Sequence, residues 1–175
     1  MTDPRSSRLK ALATQRAADR ASRVLSSRLF DATRHAVPPD SFISDADTRR
    51  LRDAIYVQAA NCRDCVRIDG RVTQNDVVEY VRVALRDIDG AVLIVPSAEY
   101  GSGFTLDAKI LAEVVQSVWG LAGDDLLMCT PDISNGLCAE VQYHDEHGPR
   151  PEGILTLRAW GLFVNRSAGS QPSAS

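Results

Sequence analysis

Four cysteines, one His-Asp-Glu-His run, one glycine-rich loop and one acidic stretch hold the side chains of this chain that could do chemistry. The cysteines form two pairs, Cys62-x2-Cys65 and Cys129-x8-Cys138. The first pair has the spacing of a zinc knuckle and the second does not. No glycine follows Cys65 to turn the chain, and Cys62 falls on an apolar helical face. Small buried side chains are therefore the economical reading, and no metal ligand is assigned. Arg63 and Arg67 could lower the pKa of Cys65, but no general base stands near it in sequence.

His144-Asp145-Glu146-His147 gathers four metal-binding groups, yet it runs into Gly148-Pro149-Arg150-Pro151, which is turn composition. A solvated hairpin tip accounts for it. The loop Ser97 to Phe104 follows an apolar run and precedes a helical stripe, so it could frame a pocket beyond a strand end. Glu99, Tyr100 and Asp107 are its candidate acid/base groups. It lacks the Gly-Lys-Ser/Thr of a phosphate-binding loop, and Leu106 stands where a dinucleotide turn needs its third glycine. No Gly-x-Ser-x-Gly elbow occurs in the chain. No cofactor is implied.

Between Leu121 and Gly153 lie Asp124, Asp125, Asp132, Glu140, Asp145, Glu146 and Glu152, offset by Arg150 alone, a net charge of −6. Such a run is commonly a solvated face. Held on strands and tight turns, it also makes a docking surface for a basic partner. The opposite charge sits at the other end of the chain. Up to Ala36 there are eight Lys/Arg against three acids, net +5, whereas the remainder is net −8. The near-neutral total conceals two segments that prefer different partners.

The elements that must position these groups follow from periodicity. Residues 5–36 read as one helix without Gly or Pro, carrying the thin stripe Ala18, Ala21, Leu25, Leu29, Ala32 and Ala36. Pro38-Pro39 should stop it. Ser44 with Asp47, and Thr73 with Asp76, resemble capping boxes with Asp in place of Glu. Each precedes a helical stripe, the first reaching Cys62 and the second reaching Ile88. Asp69-Gly70 reads as a turn. Ala91 to Val95 is a buried strand, and Thr105 is expected to cap a helix with a wide apolar face ending near Gly120. Leu126–Thr130, Leu137–His144 and Ile154–Val164 read as strands.

The expected fold is α+β: a helical first half, then a small, mainly antiparallel sheet of about four strands with one covering helix. Residues 1–36 form a basic amphipathic extension, 37–166 the globular domain and 167–175 a disordered tail. No apolar run approaches the length of a membrane span, and no apolar leader is present, so a cytoplasmic protein is expected. No motif identifies a family.

Three functional readings remain. The first is a non-catalytic protein whose acidic surface occludes a basic protein partner, as an immunity protein or antitoxin would neutralise a toxin. The second is a small enzyme using the 97–107 pocket, disfavoured because each catalytic motif is incomplete. The third is nucleic-acid binding through the basic helix, which has a single aromatic, Phe30, and could instead lie on the acidic body or a membrane surface.

Overall fold

The computed structural model describes residues 4–62, 65–70, 73–96, 102–123, 125–143 and 153–164. Four helices and six strands alternate along it: α1 (Pro4–Thr33), α2 (Asp45–Asn61), β1 (Cys65–Gly70), α3 (Gln74–Leu85), β2 (Ala91–Val95), β3 (Phe104–Asp107), α4 (Ala108–Ala122), β4 (Leu126–Cys129), β5 (Gly136–Tyr143) and β6 (Gly153–Trp160). The strands form one antiparallel sheet in the order β1-β6-β5-β4-β2-β3. The architecture is α+β, with the helices concentrated early and the sheet assembled mostly from the second half.

The helix starts expected at Ser44 and Thr73 are present. Ser44 accepts the Asp47 N–H, and Thr73 and Asp76 form a reciprocal capping box. These caps satisfy backbone donors that have no partner inside a first helical turn.

The sheet has six strands rather than about four, and two of them were hidden for different reasons. β1 contains the Asp69-Gly70 pair read as a turn. Its backbone instead pairs along its whole length with β6, from Cys65 opposite Trp160 to Gly70 opposite Leu155. Turn propensity yields where a neighbouring strand offers a complete ladder. β3 falls where the sequence predicts the start of a helix. Thr105 lies within β3, opposite Leu93, and its hydroxyl donates to the Ser41 carbonyl. The cap of α4 is Asp107, whose carboxylate accepts the Lys109 N–H at 2.9 Å.

The sheet buries both faces. Val92, Ile94, Leu126, Met128, Leu137, Ala139, Leu157 and Ala159 point to one side, where α3 and α4 pack and α1 lies against α4. Leu93, Val95, Leu127, Cys129, Cys138 and Trp160 point to the other, under α2. β4, with all four residues buried, is shared alternately between the two cores, as a period of two requires.

The end of α1 belongs to the first core. Leu29 is fully buried, Leu25 packs beside it and Thr33 is buried, whereas Ala32 and Ala36 of the expected stripe are exposed. The helix stops at Thr33, ahead of the proline pair. Arg34 adopts φ +60°, its N–H reaches the Phe30 carbonyl, and the Thr33 hydroxyl donates to the Leu29 carbonyl at 2.6 Å. Val37 then returns to the core, so the compositional boundary near residue 36 does not coincide with a packing boundary. The expected tail 167–175 lies outside the described residues.

Candidate functional site

The register sorts the candidate residues between the two ends of the sheet. Val95 pairs with Leu127, and Leu126 pairs with Ala139. The C-terminal end of β2, the start of β4, the C-terminal end of β5 and the start of β6 therefore share one end. Pro96, Asp125, Tyr143 and Gly153 mark it. Residues 97–101, 124 and 144–152 lie outside the described residues, but they connect there. Glu99, Tyr100, Asp124, Asp145, Glu146 and Glu152 all fall in these connections.

Two candidates belong to the opposite end. Asp107 pairs with Ala91, the first residue of β2, and caps α4. Residues 104–107 are thus a strand beside β2 that ends at the α4 cap, at the far end of β2 from Pro96. Asp132 sits in the β4–β5 turn. Its carboxylate accepts from the Thr130 hydroxyl at 2.6 Å, the Ser134 hydroxyl at 2.8 Å and the Ser134 N–H at 3.1 Å. Those bonds, the Thr130 hydroxyl foremost, hold it down at about 2. All three bonds go to Asp132 Oδ1, inside its own turn.

At the first end, the face under α2 carries a polar cluster that continues the core around Ile55 and Ala59. Asp125 precedes β4 and falls opposite Glu140 by extension of the register. Glu140 is half-buried and lies across from Thr156, and Cys138 lies across from Arg158. Tyr56, from α2, lies within electrostatic reach of Glu140 and Asp125. Burial raises its pKa well above the ordinary value of 10.0, and the negative charges of Glu140 and Asp125 add to this. Burial likewise raises the Cys138 thiol. Glu140 reinforces that shift, and the Arg158 cation opposes it. Cys129 is pushed up to about 12, first by burial and then by the Asp132 charge.

Two guanidinium groups face the same side of the sheet. Arg52 donates to the Pro96 carbonyl, which ties α2 to the end of β2. The Nε atoms of Arg52 and Arg158 are buried and have no hydrogen-bond partner among the described residues. The ion pairs among those residues, Arg50–Asp47, Arg82–Glu79 and His35–Glu113, involve neither arginine. α2 is further anchored by its first turns. The Ser102 hydroxyl donates to Asp45 at 2.6 Å, and the Gly103 N–H donates to the Thr48 hydroxyl at 2.8 Å.

This arrangement can bind through charge and hydrogen bonding, but it does not activate a nucleophile. A thiol or phenol with a raised pKa stays protonated near neutrality and attacks slowly. Cys129 and Cys138 are free thiols on one face, but they are not cross-strand partners: Cys129 pairs with Gly136, and Cys138 with Leu127. Among the described residues no group of three or more His, Cys, Asp or Glu side chains is placed to hold a metal. The run His144 to His147 lies outside them.

Tyr56, Arg52 and Arg158 were not singled out by sequence. A usable signal existed for Arg158, the one charge in the largely apolar run Ile154 to Trp160. Arg52 and Tyr56 stand four apart on α2 beside the Ile55–Ala59 stripe, where they read as its solvated flank.

No protein-family model matches the chain, and neither a curated protein nor a solved structure matches it. No helix among the described residues is long and apolar enough to cross a membrane.

Proposed function

We propose that the protein is a non-catalytic binding protein that occludes a basic protein partner with the acidic end of its sheet, in the manner of an immunity protein or antitoxin neutralising a toxin. The observation that carries this reading is the convergence of the chain at that end. The half-buried Asp125 and Glu140 stand there, and the connections bearing Asp124, Asp145, Glu146 and Glu152 leave from it. A rigid β framework holds their attachment points, so ordering the charges on contact costs less entropy than it would in a loose acidic tail. The shut-off thiols and phenol favour binding over covalent chemistry. The enzyme reading also loses one of its three residues, since Asp107 belongs to the other end.

The test is charge reversal with an internal control, on a basic protein that co-purifies with this chain. Asp125, Asp145, Glu146 and Glu152 are changed to Lys, singly and together, and Asp132→Lys is the control. Association should slow, and its salt dependence should flatten, for the four but not for the control. Equal slowing by Asp132→Lys would point to a diffuse acidic field. Unchanged association in the fourfold variant would reduce this end to a solvated face.

A further inference from the structure

We infer that α1 is a binding element for B-form DNA, lying against the major groove with its exposed arginines on the phosphates of both strands. This is independent of the acidic-end reading, since it uses another surface. Helix α1 is 30 residues long, about 45 Å at 1.5 Å per residue. Its docked stretch begins at Ser22, and Asp19, one turn earlier, lines a recess with Ser22, Arg23, Pro39 and Phe42. Every side chain described between Arg8 and Arg20 is exposed. The helix before Asp19 runs for about 22 Å, well beyond the Debye length of about 8 Å at physiological salt. The net −8 of the rest of the chain is screened over most of that length.

The angular placement of the arginines separates DNA from other anionic partners. Each residue turns the helix by about 100°. With Leu29 at zero, Leu25 and Thr33 lie about 40° to either side and define the docked face. Arg8, Arg23, Arg16, Arg20 and Arg28, all exposed, then fall at about 60°, 120°, 140°, 180° and 260°. They cover about 200° of the circumference, mostly away from the body. The acids Asp19 and Asp31 lie in the same sector, which leaves it net positive. A helix on a flat membrane needs an apolar sector facing the lipid. Here the exposed apolar residues Leu12, Val24 and Phe30 are interspersed among the arginines. A groove presents phosphates on both flanks of the helix, and a wide arc of cations suits it. The major groove of B-DNA, about 12 Å wide, accepts a helix of about 10–12 Å diameter. The deep, narrow major groove of A-form RNA does not.

The experiment uses the full chain and measures fluorescence anisotropy of a short mixed-sequence DNA duplex, at salt from about 50 to about 200 mM. A duplex RNA of the same sequence and vesicles containing anionic lipid are the competing probes. The variant is Arg8→Gln, Arg16→Gln, Arg20→Gln and Arg23→Gln together, because Gln keeps length and helix propensity. Circular dichroism confirms that helicity is retained. The expected result is micromolar binding to DNA, weaker binding to RNA and vesicles, and a log K against log salt slope of about −3 to −4. The fourfold variant should lose most of that slope, about one unit per arginine. Each of the following would overturn the inference: no binding to DNA at the lowest salt, equal binding to duplex RNA, tighter binding to vesicles, or an unchanged slope in a folded variant.

Discussion

The two faces of the sheet are built from the same strands but carry different loads. Towards α3 and α4, the core-lining strand residues are all apolar, from Val92 through Ala159. Towards α2, the apolar patch of Leu93, Val95, Leu127 and Trp160 gives way to Cys138, Glu140, Thr156 and Arg158, with Tyr56 of α2 within electrostatic reach of Glu140. The first face serves cohesion alone. The second combines cohesion with fixed charge, and buried polar groups of that kind cost stability unless each is hydrogen-bonded. The comparison teaches that the acidic character of the second half is rooted in a packed layer at Glu140, not scattered over loops alone.

The sharpest way to break this comparison is to unroof the apolar face. A chain beginning at Asp40 loses Leu29 and Val37, which are 0% and 3% exposed, together with the α1–α4 contact. One buried Leu removed to Ala costs about 2–5 kcal/mol. Loss of the whole contact should therefore drop the melting temperature by well over ten degrees, since about 1 kcal/mol shifts a domain of this size by ~2–4 °C. A chain beginning at Ser22 keeps the docked turns and should melt within a few degrees of the full chain in calorimetry. Equal melting of both truncations would make the entire extension dispensable, as its composition alone suggests.

The next effect sits where the α2 face meets the β4–β5 turn. Trp160 is 1% exposed and donates its indole N–H to the Ile133 carbonyl at 3.0 Å. Its ring closes on Gly136, where an added Cβ would come within 2.3 Å of Trp160 Cζ2 and 2.8 Å of the Met128 carbonyl. Trp160→Ala should cost about 3–5 kcal/mol. Gly136→Ala should cost about 1–3 kcal/mol by overpacking. Urea titration of both gives the order. If the glycine variant proves neutral, the turn relaxes more easily than its close contacts imply.

Legibility followed the same division. β2, β4, β5 and β6, together with the caps at Ser44 and Thr73, could be read from apolar runs and capping spacing. β1 could not, because its identity depends on a partner about ninety residues away rather than on its own alternation. β3 was obscured because Phe104–Asp107 runs directly into α4, and Thr105 as well as Asp107 is of a capping type. The acidic residues were visible in sequence, but their separation into two ends was not. That separation is a matter of register, which places Asp132 at the turn end and Asp125 with Glu140 at the other. Tyr56 was invisible because only the pairing of α2 with β5 brings it to Glu140.

Reactivity distinguishes the faces more gently. Cys129 and Cys138 are buried, with thiols raised by burial. We predict that a maleimide leaves both unmodified in the folded chain at mildly alkaline pH, by peptide mass spectrometry, while half-buried Cys62 reacts. Rapid labelling of Cys138 would show that the polar cluster opens readily to solvent. Tyr56 supplies an alkaline counterpart. Its folded pKa is raised, so it stabilises the fold fully below its unfolded value near 10 and loses that contribution as pH rises further. Tyr56→Phe should flatten the alkaline fall in stability. Glu140→Gln should bring the phenol titration down towards 10 without reaching it, because burial is the larger cause.

The smallest predicted effect concerns Asp132 and tests whether the turn end is only a structural clasp. The carboxylate is exposed, yet the Thr130 hydroxyl and both Ser134 donors hold it at about 2. In the unfolded chain an Asp titrates near ~3.9. A depressed folded pKa means that the contribution is complete above the unfolded value and is lost as pH falls through the folded one. Asp132→Asn removes the charge but keeps one acceptor oxygen. The variant should therefore be slightly less stable than the parent at neutral pH, with the gap closing between about pH 4 and about pH 2. Paired urea titrations across that range read the difference directly. A gap that persists unchanged to the acid limit would mean that the amide fails to keep the turn geometry. The loss would then be one of hydrogen-bond shape at Thr130 and Ser134 rather than of charge. No gap at any pH would mean that the Trp160 and Asn135 bonds, the latter to the Leu162 N–H at 2.7 Å, hold the turn without the carboxylate.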